Sequence, residues 1–129
     1  MERVTGIGGV FFKGKEQKAL LKWYEEFLGI PVESYGGHAF TSLEAGEAGG
    51  KGTTVWGIFP ATTEYMNPGT ATFMINYRVK DLDAILEQLR RMGANVLDAR
   101  EESEQGRFGW VIDPEGNKIE LWEPPPEVA

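Results

Sequence analysis

Few residues in this chain could do chemistry. Glu120 stands in the alternating run Lys118-Ile-Glu-Leu-Trp122, where a carboxylate can serve as a general base or as a metal ligand. Asn76 and Arg78 stand two apart in Met74-Ile-Asn-Tyr-Arg-Val79. Arg78 can form a buried ion pair with Glu120 across two strands, either purely structural or orienting a polar ligand. It can also stabilise an oxyanion beside Glu120. Asn76 is an inward amide that needs a partner, whether ligand, water or Arg78. Trp56, Trp110 and Trp122 fall on strand-like runs. Their rings bind cations and stack on flat molecules, or they pack the core and a dimer seam. Trp23, on a helix, reads as core, and His38, the single histidine, as a hydrogen-bonded structural residue.

The elements that must position these residues follow from periodicity. Thr5 to Lys13 reads as a strand. Over Gln17–Leu28, apolar residues at Leu20, Trp23, Tyr24, Phe27 and Leu28 mark one face of a helix, and Gly29 is a left-handed stop. Pro31 to Tyr35 is expected to be a strand, Gly36-Gly37 a hairpin turn and His38 to Leu43 the returning strand. Glu44 to Gly52 reads as a loop or a cleft lid, and Thr53 to Phe59 as a strand stopped by Pro60. The order then repeats. A strand over Thr72–Val79 leads to a helix capped by Asp81 and ended near Met92 and Gly93. Strands follow over Ala94–Leu97, Gly106–Ile112 and Lys118–Trp122, the last two joined by the turn Asp113-Pro-Glu-Gly-Asn117. Glu101, Glu102 and Glu104 are expected as solvated charges at a turn. Each half therefore reads βαβββ. A 65-residue shift lays Leu20, Leu21, Tyr24 and Phe27 on Ile85, Leu86, Leu89 and Met92, and a 64-residue shift lays Pro60 on Pro124.

The 129 residues fit one domain, with module one at about 5–60 and module two at about 70–124. Thirteen Lys and Arg against twenty Asp and Glu leave a charge of −7, which argues against nucleic acid and anionic membrane as partners. It favours neutral or cationic small ligands. With no cysteine, disulfides, thiolate metal sites and a cysteine nucleophile are excluded. Gly6-Ile-Gly-Gly9 lacks the lysine and helix of a phosphate loop, and there is no Gly-x-Ser-x-Gly elbow. No run suits a membrane span or a signal-peptide core, so a cytoplasmic location is expected.

The closing run Gly106-Arg-Phe-Gly-Trp-Val-Ile-Asp-Pro-Glu-Gly-Asn-Lys-Ile-Glu-Leu-Trp-Glu-Pro124 resembles the signature of the vicinal oxygen chelate superfamily. That superfamily includes glyoxalase I, bleomycin-resistance proteins, fosfomycin-resistance enzymes and extradiol dioxygenases. Leu21-Lys-Trp-Tyr-Glu-Glu-Phe-Leu-Gly-Ile30 and Ile75-Asn-Tyr-Arg-Val-Lys-Asp-Leu-Asp-Ala84 agree with it. The resemblance implies an α+β fold of two tandem βαβββ modules forming a cup-shaped, partly open mixed sheet, commonly dimeric. It also implies up to four metal ligands in the cup. Here those positions fall on Gly9, Trp56, Met74 and Glu120, and only Glu120 can ligate a hard or borderline divalent ion. One ligand does not hold a catalytic metal, unless His38 meets Glu120 across the cup.

Strand alternation then assigns the cup wall. Met74, Asn76 and Arg78 face inward from one strand, and Gly9, Phe11 and Lys13 from another. Lys118, Glu120 and Trp122 do so from the last strand, with Thr54, Trp56 and Ile58 following by the repeat. The resulting expectation is a metal-independent, homodimeric protein that binds a small organic molecule in an aromatic cleft, as bleomycin-resistance proteins do. The candidate ligand-binding residues are Phe11, Trp56, Asn76, Arg78, Trp110 and Trp122. The alternatives are a lyase, isomerase or dioxygenase of the same superfamily, with non-family metal ligands or Glu120 as general base, and a module with no small ligand.

Overall fold

The computed structural model describes residues 1–41 and 52–126. The expected loop over 44–52 lies outside them but for Gly52. The elements run β1 (Val4–Gly14), α1 (Gln17–Leu28), β2 (Gly37–Thr41), β3 (Thr53–Pro60), β4 (Phe73–Val79), α2 (Leu82–Arg91), β5 (Asn95–Ser103), β6 (Gly106–Ile112) and β7 (Lys118–Glu123). All seven strands join one mixed sheet in the order β2-β3-β1-β4-β7-β6-β5, an open α+β sheet carrying two helices. The antiparallel pair β1–β4 sits at its centre, and the parallel pairs β1–β3 and β4–β7 flank it. This symmetry is the structural form of the sequence repeat.

The second half is βαβββ, as its pattern predicts. The first is shorter among the described residues, because Pro31–Tyr35 forms no strand. Pro31 has no backbone N–H to give to a ladder. The following residues instead close a turn, with Gly36 N–H donating to Glu33 O and Glu33 N–H to Gly37 O. Strand β5 extends beyond the expected Leu97, so that Glu101 and Glu102 lie in a strand rather than a turn. Its pairing to β6 continues to Ser103↔Gly106, and its charged residues are exposed along a sheet edge, where they discourage further strand pairing.

The helices pack on one face of the sheet. Behind β4, β6 and β7, Leu82, Ile85 and Leu86 of α2 meet Val79, Val111 and Leu121. Gly93 follows α2 with φ 84°. The Asp81 carboxylate accepts from Ala84 N–H at 3.1 Å, and Asp83 in the first turn with Arg90 and Arg91 in the last complement the helix dipole. Asp81→Ala is expected to cost about 1 kcal/mol, read as a lowered urea midpoint at unchanged slope.

Helix α1 packs with a rotated face. Leu21 is buried, whereas Trp23, Phe27 and Leu28 are exposed. Trp23 is thus no core residue; its ring stacks on Phe27 at 5.0 Å between centroids. Tyr24 turns inward and meets Phe12 and Trp56. Among the described residues no helix is long and apolar enough to cross a membrane.

Candidate functional site

Opposite the helices lies a cavity of about 670 Å³, within the range of small-molecule sites. Phe11, Val55, Gly57 and Phe59 form one wall, and Phe108 and Trp122 another; Tyr65, Asn76 and Glu120 also line it. Glu101 and Glu104 reach it from the β5–β6 end.

Register explains how Glu120 came to sit where it does. Its neighbour on β4 is Asn76 and its neighbour on β6 is Trp110, so three side chains form a row across adjacent strands on one face. Asn76 Nδ2 donates to Glu120 Oε1 at 2.6 Å, and Trp110 Nε1 donates to Oε2 at 2.9 Å. A third donor comes from the connection between β3 and β4, where the Tyr65 hydroxyl reaches Oε2 at 2.5 Å. Glu120 is 2% exposed and Asn76 3%. All three donors are neutral. The nearby cation, Lys118, feels the carboxylate's charge. Its ammonium, however, donates to Tyr65 O and lies 5.1 Å from the ring centroids of both Tyr65 and Trp110.

This arrangement fixes the protonation of Tyr65. Burial, then the charge and hydrogen bond of Glu120, raise its phenol far above the ordinary value of 10. The hydroxyl is therefore a donor at every working pH. A folded-state pKa raised above the unfolded one gives stability that is present below about pH 10 and lost above it. Tyr65→Phe is expected to flatten the fall in stability above about pH 10, followed by urea titration at several pH values. Tyr35, whose phenol burial also pushes up, keeps a residual slope.

The structure brings together Phe11, Asn76, Glu120 and Trp122 on the cavity wall, with Trp110 buried beside Glu120 on the next strand and not itself among the lining residues. Arg78 and Trp56 are not among the lining residues. Arg78 does not bond Glu120; its neighbour on β7 is Trp122, and its Nη2 donates to Ile7 O at 3.1 Å. A Cβ on Gly6 would lie at ordinary contact distance, 3.8 Å, from its guanidinium. Gly8 is tighter still: a Cβ there would stand 2.2 Å from Asn76 Oδ1 and 2.7 Å from the Trp122 ring.

Trp56 lies on the helix face with Phe12 and Tyr24. The 64-residue shift misplaces it by one. The 65-residue shift that superposes the helices carries Glu120 to Val55, which pairs with Gly9 and lines the cavity. His38 is cross-strand from Trp56, with Nδ1 3.1 Å from Glu33 Oε2. It is thus on the far face of the sheet from Glu120, and the two cannot share an ion. Tyr65 was hidden from strand alternation because it sits in an irregular connection; Pro68 and Gly69 just after it were the available sign of a fixed turn.

A divalent ion fits this donor set poorly. The cross-strand neighbours of Glu120 are Asn76 and Trp110, and both its oxygens already accept from neutral donors. Among the described residues no three His, Asp or Glu side chains converge.

A seven-stranded mixed sheet of two tandem units, with a walled cavity on the face opposite its helices, defines a protein of the glyoxalase/bleomycin-resistance fold in the vicinal oxygen chelate superfamily. The chain belongs to the glyoxalase-like domain family, whose pattern matches residues 9–122. No curated protein sequence matches it. Solved structures share the fold. Methylmalonyl-CoA epimerase of Streptomyces coelicolor, in complex with 2-nitronate-propionyl-CoA, is 19% identical; the match covers 98% of this chain and 99% of that one, with a TM-score of 0.68. The enzyme of the same name from Mycobacterium tuberculosis is 20% identical over 96% and 91% of the two chains, at TM-score 0.62. A structure described as NAD-dependent benzaldehyde dehydrogenase from Legionella pneumophila is 15% identical over 91% and 98%, at 0.59.

Proposed function

We propose that this chain is a metal-independent small-molecule-binding protein that holds an organic ligand against the aromatic wall of its cavity. The observation that carries the reading is the state of Glu120. Among the described carboxylates lining the cavity Glu120 is the buried one, and Tyr65, Asn76 and Trp110 occupy three of its roughly four lone-pair sites. What remains open to a ligand is a cavity walled by Phe11, Phe59, Phe108 and Trp122. Association of two copies belongs to the same reading, supported by the exposed Ile7, Val10 and Phe73 on the helix side of the central strands.

The epimerases that share the fold give the alternative, an isomerase with Glu120 as base. Three donors favour the charged form of Glu120 and so oppose its taking a proton, and Arg78 is turned away from any oxyanion beside it. A CoA ester also carries phosphates, whereas the residues described as lining the cavity include Glu101, Glu104 and Glu120 and no Lys, Arg or His.

The test is a tryptophan-fluorescence titration with a panel of aromatic compounds, with and without chelator. Saturable binding indifferent to chelator, weakened about tenfold or more by Trp122→Ala, is the expected result. Absence of saturable binding, or deprotonation of an added CoA thioester followed by deuterium exchange, would overturn the reading.

A further inference from the structure

We infer that the ligand is an organic cation, a protonated amine or amidinium on an aromatic body, with its charge seated toward Glu120. The inference deepens the binding reading and rests on it. Three observations converge. Glu120 is buried beside the cavity as a carboxylate whose hydrogen-bond donors are all neutral. Neutral donors satisfy lone pairs but leave the net charge, and a buried charge with no counter-charge in direct contact is costly. Lys118 acts on Glu120 through space but forms no ion pair with it among the described residues; its ammonium donates to Tyr65 O and lies 5.1 Å from the Tyr65 and Trp110 ring centroids.

Next to this carboxylate, Asn76 Oδ1 is buried and has no hydrogen-bond partner among the described residues. The amide cannot be reversed without presenting its oxygen to Glu120, so the surplus group here is a second acceptor. Packed against Gly8, this oxygen adds a further negative dipole beside the carboxylate.

The approach to the cavity has the same sign. Glu101 and Glu104 line it, and no basic side chain among the described lining residues offsets them. The aromatic wall adds the negative faces of Phe11, Phe59, Phe108 and Trp122, which attract a desolvated cation.

Calorimetric titration of the full chain near neutral pH tests this with three probes that share one ring system. They are 1-naphthylmethylammonium, the neutral 1-naphthalenemethanol and the anionic 1-naphthoate. The ammonium is expected to bind at least about tenfold tighter than the alcohol, and the carboxylate weakest of all. In Glu120→Gln the preference for ammonium over alcohol should shrink to about threefold or less, with alcohol binding little changed. Equal or tighter binding of the alcohol or the naphthoate to the wild-type chain overturns the cation inference and leaves the binding reading standing. Full retention of the ammonium preference in folded Glu120→Gln overturns the assignment to Glu120. Should that variant not fold, the wild-type ranking still decides. Failure of all three probes to bind at millimolar concentration overturns the binding reading, and the inference with it.

Discussion

Glu120→Ala is expected to lower stability by about 3 kcal/mol and to abolish the ligand site together with it. The substitution strands three donors at once: the Tyr65 hydroxyl, the Trp110 indole N–H and the Asn76 amide. Each buried donor left without an acceptor costs about 1–3 kcal/mol, and relief of the buried charge offsets part of the sum. Tyr65 should suffer most, since its ring and its segment are fixed over the carboxylate. Urea denaturation reads the loss, and Glu120→Gln, which keeps one acceptor, should lose about half as much. A loss below about 1 kcal/mol for the alanine variant would mean that the network does not organise the cavity floor.

The second large effect comes from the other side of the sheet. Leu86 is 1% exposed and packs so closely on β6 that a Cβ on Gly109 would stand 2.9 Å from its Cδ1. Leu86→Ala is expected to cost about 2–5 kcal/mol through lost burial and a residual cavity. None of the residues of its core cluster lines the cavity. Ligand affinity at low temperature should therefore stay within about twofold while the unfolding midpoint falls. The pair of variants separates the two faces: one change removes stability and binding, the other stability alone. Loss of affinity in Leu86→Ala comparable to its loss in Glu120→Ala would show that the cavity depends on the helix-side core.

The sequence made much of this fold legible because its second half is locally consistent. Asp81 as cap, apolar spacing in α2, the Asp113–Asn117 turn and alternation in β7 all point the same way. The first half is less consistent. The apolar face of α1 is wide, spanning more than half of the helix, so periodicity alone could not say that Leu21 and Tyr24 turn inward while Trp23 and Phe27 face out. Pro31 sits in a stretch that resembles a strand in hydropathy but lacks a donor for the ladder.

At the site, alternation placed Phe11, Asn76, Glu120 and Trp122 on one face from local pattern. It failed at Trp56, where a one-residue uncertainty in the repeat reverses the face, as a register slip does for any strand. The partner of Glu120 was beyond reach for a different reason. A charge pair with Arg78 satisfies sequence logic, but cross-strand neighbours are set by register, and register puts Asn76 and Trp110 beside Glu120. Tyr65 arrives from an irregular connection, and no periodicity reports on such a residue.

The claim on which the account turns is that this cavity binds its ligand without a metal. Elemental analysis of the purified chain, before and after dialysis against chelator and again after incubation with Ni, Zn, Mn or Fe salts, tests it most directly. The account predicts a metal content far below one ion per chain in every sample, with ammonium-probe affinity unchanged by the chelator. About one tightly held divalent ion per chain, removed together with ligand binding by the chelator, would contradict it.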